Sequence, residues 1–122
     1  MATHNAVVGM QGENAALGFF LQQGFRLAAQ NVRYRCGELD LLVTSLDGVL
    51  VVVEVKTRLG RSFGTAEAVT PAKFARMRKA AAQWLLDSKE FYSAVRFDVL
   101  VVELTSNGPV FEHFIGVEHG AW

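Results

Sequence analysis

Three acidic residues stand where the surrounding pattern favours apolar side chains. Glu54 interrupts the strand-like run Val-Leu-Val-Val-Val-Glu-Val-Lys, and Asp40 lies in an apolar segment at 39–43. Glu13 shares one face of a predicted helix with apolar residues, at Ala16, Leu17 and Phe20. Burial of a lone carboxylate is costly, so each acid would need a cation or strong hydrogen-bond donors if it were buried.

Asp40 and Glu54 are predicted to lie side by side. The pair Asp47-Gly48 favours a tight hairpin turn, and counting outward from that turn brings Asp40 roughly opposite Glu54. Two adjacent carboxylates repel each other unless one is protonated or a cation lies between them. Oxygen ligands of this kind suit Mg²⁺ or Mn²⁺. Lys56 is two residues beyond Glu54, so it shares that face of the strand.

A cation site beside a lysine matches the chemistry of phosphodiester hydrolysis. The metal neutralises the phosphate and lowers the pKa of a bound water, and the lysine orients the nucleophile or stabilises developing charge. The same residues also permit structural interpretations. Glu54 and Lys56 can form an ion pair at a strand end, and Glu13 can be a solvated residue of the first helical turn.

Positive charge is concentrated in one part of a chain whose formal net charge is zero. Residues 56–79 contain seven basic residues and one acidic residue, a local charge of +6. Such a stretch can bind phosphates even in a neutral protein. A solvated helix face joined to a loop explains the same charge equally well.

The elements that must position these residues follow the order α-β-β-β-α-β-β. Helices are predicted at 12–23 and at 71–87, the second with Thr70 as N-cap and Pro71 as its first residue. Strands are predicted at 25–35, 39–45, 49–57, 95–104 and 110–117. The apolar stripe of the second helix is Phe74, Met77, Ala81, Trp84 and Leu85. This order predicts an α/β fold with a mixed central sheet of about five strands, helices on both faces and a loop at 58–69.

Length and composition narrow the class of protein. The 122 residues fit one domain spanning 1–122. A single cysteine, Cys36, excludes an intramolecular disulfide and fits a reducing compartment, and the first residues do not resemble a signal peptide. We therefore expect a cytoplasmic protein without a membrane segment. The three histidines show no ligand spacing and are expected to be incidental, whereas Arg96 and Asp98 are expected to form a structural ion pair.

Several segments together resemble the YraN-like family of small bacterial proteins. The similarity covers nearly the whole chain. The matching segments are Gly12-Glu13, Asn31-Val32-Arg33, Gly37-Glu38-Leu39-Asp40-Leu41, Val53-Glu54-Val55-Lys56-Thr57-Arg58, Lys73 and Arg96-Phe97-Asp98.

That family resembles Holliday-junction resolvases, which belong to the PD-(D/E)xK superfamily and have the restriction-endonuclease-like core. The resemblance places the motif acids on Asp40 and Glu54, the motif lysine on Lys56 and the helix acid on Glu13; Leu39 stands where the motif has proline. It implies Mg²⁺ or Mn²⁺ held by Asp40, Glu54, the Val55 carbonyl and Glu13. It also implies a DNA substrate, branched DNA included, and a homodimer.

We expect the basic residues Arg58, Arg61, Lys73 and Arg76 to hold backbone phosphates. Two other functions are compatible with the sequence. A protein with the nuclease fold could bind nucleic acid without cleaving it, and a protein-interaction module would bind no nucleic acid at all.

Overall fold

The computed structural model describes residues 4–59 and 69–117. The elements follow the predicted order. They are α1 (His4–Gln22), β1 (Arg26–Tyr34), β2 (Gly37–Thr44), β3 (Val49–Leu59), α2 (Pro71–Asp87), β4 (Ala94–Thr105) and β5 (Gly108–Phe114).

The five strands form one mixed sheet in the order β1-β2-β3-β4-β5. Only β3 and β4 are parallel, and α2 lies between them in sequence as the crossover. The other neighbours are antiparallel, because short turns connect them. In the β2–β3 turn Gly48 has a φ of +82°, a conformation that glycine adopts without steric cost. The predicted α/β class with a mixed five-stranded sheet is therefore confirmed, and β1 and β5 form its edges.

The central strand β3 is buried on both faces. Leu50 and Val52 join one core cluster, which includes Met77 and Ala81 of α2. Val51 and Val53 join the second cluster, on the other face of the sheet, which includes Ala16 and Phe20 of α1. The faces alternate because successive strand residues point to opposite sides. Glu54 continues the α2 side of this alternation.

Helix α2 begins and ends where the sequence indicates. The Thr70 hydroxyl accepts a hydrogen bond from the Lys73 N–H at 3.1 Å, and Pro71 is the first helical residue. The predicted apolar stripe faces the sheet, with Met77 and Ala81 buried and the other three members packed against the same cluster. This start fixes the direction in which the first turn of α2, including Lys73, approaches the sheet.

Helix α1 begins at least eight residues earlier than predicted, at His4 rather than residue 12. The prediction began the helix at Gly12, but the helix also contains Gly9 and the residues around it. Glu13 is therefore in the middle of α1, and its interpretation as a first-turn residue was wrong. The helix positions the Glu13 carboxylate by packing and not by its own N-terminus.

The strand boundaries also differ from the predictions, by one to three residues, and β3 and β5 are the two that matter for the site and the edge. β3 continues to Leu59, since it remains paired with β4 as far as Leu104. β5 spans Gly108–Phe114 rather than 110–117, because the ladder begins directly at the turn, with Thr105 opposite Gly108. The predicted loop at 58–69 was wrong at residues 58 and 59, which belong to β3; its residues 60–68 lie outside the described residues.

Two glycines allow the helices to approach the sheet closely. A Cβ at Gly12 would lie 2.7 Å from the Thr57 Cβ and nearer still to its hydroxyl. A Cβ at Gly37 would lie 2.8 Å from the Arg76 backbone oxygen. Real Cβ atoms almost never come this close, so any larger residue would push α1 or α2 outward. Both contacts lie next to candidate site residues, Glu13 and Arg76.

Neither helix in the described part of the chain combines the length and apolar character needed to cross a bilayer.

Candidate active site

The β2–β3 register brings Asp40 and Glu54 together. The last paired residues at this end are Leu41 and Val53, and the same register continues to Asp40 opposite Glu54. The Asp40 carboxylate also accepts a 2.9 Å hydrogen bond from the backbone N–H of Val55, which attaches it to β3. The neighbourhood predicted by counting from the hairpin turn is therefore present.

Glu54 is buried, and its partner comes from the crossover helix. The Lys73 ammonium donates a short hydrogen bond to Glu54 Oε2. The Lys73 side chain is 38% exposed and that of Glu54 only 9%, so the ion pair lies at the mouth of the site with the carboxylate inward. The sequence suggested a phosphate contact or a solvated Lys73, and it gave no indication of this ion pair.

Burial and a neighbouring acid govern the protonation of Glu54. Burial, and after it the charge of the Asp40 carboxylate, raise the pKa of Glu54 to about 7, although the Lys73 ion pair acts in the opposite direction. The Glu54 carboxyl also shares a hydrogen bond with Asp40. Near neutral pH Glu54 therefore holds a proton in a fraction of the molecules, as expected of a buried carboxyl group beside a second acid.

Glu13 approaches the site from the Asp40 side. Partial burial raises the pKa of Glu13, the Asp40 charge raises it too, and a hydrogen bond with the Asn31 side chain and the charge of Arg33 act in the opposite direction. Asp40 is thus the common electrostatic neighbour of Glu13 and Glu54. The three predicted acids converge on one region, with Asp40 at its centre.

Asn31 has an unusual backbone conformation beside these acids. Its φ is +53°, the only positive value at a non-glycine residue among those described. The flanking pairs of the β1–β2 ladder place Asn31 opposite Asp40. Asparagine tolerates the left-handed conformation better than most residues, and its side chain bonds Glu13. From the sequence, Asn31 was recognised only as part of a motif, because its position opposite Asp40 depends on how β1 and β2 pair.

An open pocket of about 240 Å³ lies over the carboxylate pair. Its described lining residues are Gly37, Glu38, Asp40, Glu54, Lys73, Arg76 and Met77. Two acids and two basic residues predicted for the site therefore share one cavity. The cavity is open to solvent.

The remaining predicted residues occupy different positions relative to this pocket. Lys56 is on the Glu54 side of β3 by strand alternation, but it is not among the described lining residues. Val55 contacts Asp40 through its N–H, and its predicted role as a carbonyl ligand remains a prediction. Arg58 lies further along β3. Arg61 lies outside the described residues.

The carboxylate oxygens of Asp40 and Glu54 suit a divalent cation, but the described residues do not form a complete metal-binding site. Within 4–59 and 69–117, no group of three or more His, Cys, Asp or Glu side chains is arranged to hold a metal ion. Asp40 and Glu54 nevertheless supply the hard oxygen ligands that Mg²⁺ and Mn²⁺ prefer, and their mutual repulsion raises the Glu54 pKa. A cation between them would remove that repulsion.

Comparison with known proteins identifies the family. The family described as "Uncharacterised protein family UPF0102" matches residues 12–102. A UPF0102 protein of Corynebacterium efficiens is 46% identical over 123 residues, covering 99% of both chains. This chain belongs to the UPF0102 family. A UPF0102 protein of Symbiobacterium thermophilum is 47% identical over 102 residues, covering 83% of this chain and 86% of the relative.

The family assignment confirms the resemblance to the YraN-like family that the sequence indicated. The matched segment of this UPF0102 protein contains Glu13, Asp40, Glu54 and Lys73, together with both close-packed glycines. The relative from Bordetella avium is 50% identical over 97 residues, which cover 78% of this chain and 66% of its own.

A second polar cluster in this UPF0102 protein lies beneath α1. Asp98 is fully buried and accepts hydrogen bonds from Arg96 Nε and Nη2, both at 2.9 Å, and from the Gly116 N–H at 3.0 Å. His113 Nε2 is 2.7 Å from the same carboxylate, and its ring packs edge-on against Phe19 and Phe20. The expected Arg96–Asp98 ion pair is confirmed.

The prediction that His113 is incidental was wrong. Burial alone would raise the pKa of Asp98, but hydrogen bonds from His113, Arg96 and Gly116 outweigh it and hold the pKa below its usual value. The carboxylate is therefore charged and fully bonded, which indicates a structural role. The sequence gave no local signal for this contact, because it depends on how β4 and β5 pair.

Proposed function

We propose that this UPF0102 protein is a metal-dependent endonuclease that hydrolyses phosphodiester bonds in DNA, branched DNA included. The observation that carries the proposal is the adjacency of Asp40 and Glu54 in a solvent-open pocket, with Lys56 two residues beyond Glu54 on the same side of β3. This combination matches what phosphodiester hydrolysis requires, namely a cation site and a nearby amine.

Asp40 and Glu54 would hold Mg²⁺ or Mn²⁺, with the Val55 carbonyl and, directly or through water, Glu13. When bound, the cation supplies charge neutralisation at the phosphate and a lower pKa for a coordinated water. The hydrogen bond from Val55 orients the Asp40 carboxylate, and the Asn31 contact with Glu13 restrains the third acid. These contacts fix the acids before any ligand arrives, which reduces the cost of assembling the site.

Basic residues around the pocket provide contacts for the DNA backbone. Lys73 and Arg76 line the pocket itself, and Arg58 and Arg61 belong to the same positive stretch of the sequence. No hydrogen bond or ion pair ties the Lys56 ammonium to another residue in the described ranges. Lys56 is therefore available to orient the attacking water or a phosphate oxygen.

The reaction is a hydrolysis. Water adds to phosphorus, the phosphorus–oxygen bond to one sugar breaks, and the products are a phosphate monoester and a free hydroxyl. The amine of Lys56 contributes by stabilising charge on the phosphate oxygens.

We also propose that the protein acts in the cytoplasm and as a homodimer. The single cysteine, Cys36, is free, which fits a reducing cytoplasm. A homodimer would place two such pockets on one branched DNA molecule, and sedimentation velocity would measure that state directly.

The test is a nicking assay on supercoiled plasmid and on a four-way DNA junction, with Mg²⁺ or Mn²⁺ and with a chelator. Asp40→Asn is the sharpest variant, because the asparagine oxygen can still accept the Val55 hydrogen bond while the negative charge is lost. Lys56→Gln tests the amine. Glu112→Gln, an exposed change on β5, is the matched control.

We expect metal-dependent cleavage by the wild type and by Glu112→Gln, and a loss of about 10²-fold or more in Asp40→Asn and Lys56→Gln. Binding of DNA with steep salt dependence but without cleavage, under every metal condition, would contradict the enzyme and leave the binding-only alternative. Absence of DNA affinity at low salt would contradict both and favour the interaction module.

A further inference from the structure

The Lys73 ammonium occupies the place at Glu54 where positive charge is most needed. It donates a short hydrogen bond to the buried Glu54 carboxylate, and Asp40 lies beside that carboxylate. In the described part of the chain no other basic side chain forms a salt bridge with Glu54. Lys73 therefore provides positive charge next to Glu54, as a bound divalent cation would.

The fold holds Lys73 in this position from two sides. Thr70 caps α2 through the Lys73 backbone N–H, so the helix begins at a fixed point. Gly37 allows the Arg76 backbone to pack directly against the start of β2. The first turn of α2 is thus kept near Glu54, although the Lys73 side chain itself remains partly exposed and has room to move.

An ammonium and a divalent cation in contact with the same carboxylate repel each other. The repulsion is strongest where water is scarce, and Glu54 is buried. Lys73 has an alternative place, because it lines the same open pocket as Arg76, where a phosphate would be received. If the Lys73 ammonium moves from Glu54 to a phosphate oxygen, it is hydrogen-bonded to a negative group both before and after the movement.

We propose that Lys73 is a positioning residue that competes with the divalent cation for Glu54 and is released to bind a DNA phosphate when the cation enters. The inference rests on the proposed function, because it assumes a cation site at Asp40 and Glu54. It adds a coupling between the two ligands: each favours the binding of the other, since the cation frees the lysine that the phosphate requires.

The first experiment is a calorimetric titration with Mn²⁺ alone, at one fixed pH, of the wild type and three variants. Lys73→Gln removes the competing charge and should bind Mn²⁺ about tenfold or more tightly than the wild type, the factor expected from removing one charge-assisted hydrogen bond. Lys73→Arg keeps the charge and should resemble the wild type. Lys79→Gln, an exposed change in the same helix, is the control and should also resemble the wild type.

The second experiment measures the affinity of a short DNA duplex with Ca²⁺ and with a chelator, over a range of salt concentrations. Without the cation, Lys73→Gln and the wild type should bind alike, since Lys73 is engaged by Glu54. With Ca²⁺, Lys73→Gln should bind more weakly, and the slope of log affinity against log salt should fall by about one. A fixed structural lysine would not produce this dependence on the cation.

The outcomes separate this inference from the proposed function. Equal or weaker Mn²⁺ binding by Lys73→Gln, or equal weakening of its DNA binding with and without Ca²⁺, overturns the exchange while leaving the nuclease proposal intact. Tighter Mn²⁺ binding together with the Ca²⁺-dependent DNA effect supports the exchange even if no variant cleaves DNA. Absence of Mn²⁺ binding in every variant overturns the exchange and the cation site together. If Lys73→Gln does not fold, as judged by circular dichroism, Lys73→Met replaces it with the same expectations.

Discussion

The raised pKa of Glu54 makes a specific prediction for the pH dependence of stability. Burial and the Asp40 charge raise the Glu54 pKa from 4.5 to about 7, so the folded protein binds a proton at this site that the unfolded chain has already released. Between these two values the native state binds more protons than the unfolded state. The free energy of unfolding should therefore decrease as the pH rises from about 4.5 to 7, and then level off.

The magnitude follows from the size of the shift. The interval between 4.5 and about 7, at roughly 1.4 kcal/mol per pKa unit, corresponds to a loss of about 3 kcal/mol of stability across this range. Partial burial and the Asp40 charge also raise the pKa of Glu13, which adds a contribution of the same sign. The lowered pKa of Asp98 affects the free energy of unfolding only near and below pH 3.8, the ordinary pKa of an aspartate, which lies outside this interval.

The assay is urea unfolding at pH 5 and at pH 8, in the presence of a chelator, for the wild type and Glu54→Gln. Glutamine has nearly the same size and does not titrate, so the difference between the two proteins isolates Glu54. We expect the wild type to lose about 2–3 kcal/mol relative to Glu54→Gln between these pH values, slightly less than the full interval because the unfolded chain is already partly ionised at pH 5. Wild-type stability that follows the variant in parallel, or that rises relative to it, would refute the reasoning.

Two further predictions concern the packing around the site. Gly12→Ala should cost about 1–3 kcal/mol of stability, because the new methyl group overlaps Thr57. Gly9→Ala, in the same helix but facing open space, should be neutral or stabilise by about 0.5–1 kcal/mol. Equal effects of the two changes in urea unfolding would contradict the close approach of α1 to the sheet. Asp98→Asn should cost about 3 kcal/mol because it removes the charge bonded by three partners, whereas Asp47→Asn in the exposed turn should be near neutral. Thermal unfolding midpoints equal to that of the wild type for both Asp98→Asn and Asp47→Asn would contradict the structural role of Asp98.

The parts of the site that could be predicted from sequence are those fixed by local rules. The pair Asp47-Gly48 sets the hairpin, and strand alternation then determines which residues oppose each other, so Asp40 was correctly placed opposite Glu54. Helix α2 was predicted to the residue at its start, because Thr70 and Pro71 are both strong N-terminal signals.

The parts that could not be predicted depend on how separate elements pack. The ion pair between Lys73 and Glu54 requires α2 to approach β2 at Gly37, and that distance is a property of the assembled fold. The part of α1 before Gly12 was missed because Gly9 lowers its intrinsic helix propensity, whereas the helix is stabilised by its contacts with the sheet. His113 was dismissed because its partner Asp98 is 15 residues away and meets it only through the pairing of β4 and β5.

The most direct test of the central claim, that Asp40 and Glu54 form one cation-binding centre, is an NMR titration with Mg²⁺ that follows the backbone amides. The Val55 N–H is the best reporter, because it donates to the Asp40 carboxylate. We expect the amides of Asp40, Glu54 and Val55 to shift together with one Kd and the amide of Glu13 to follow them. Asp40→Asn should abolish these shifts. Amides that do not shift, that shift with unrelated affinities, or that respond equally in Asp40→Asn would contradict this claim.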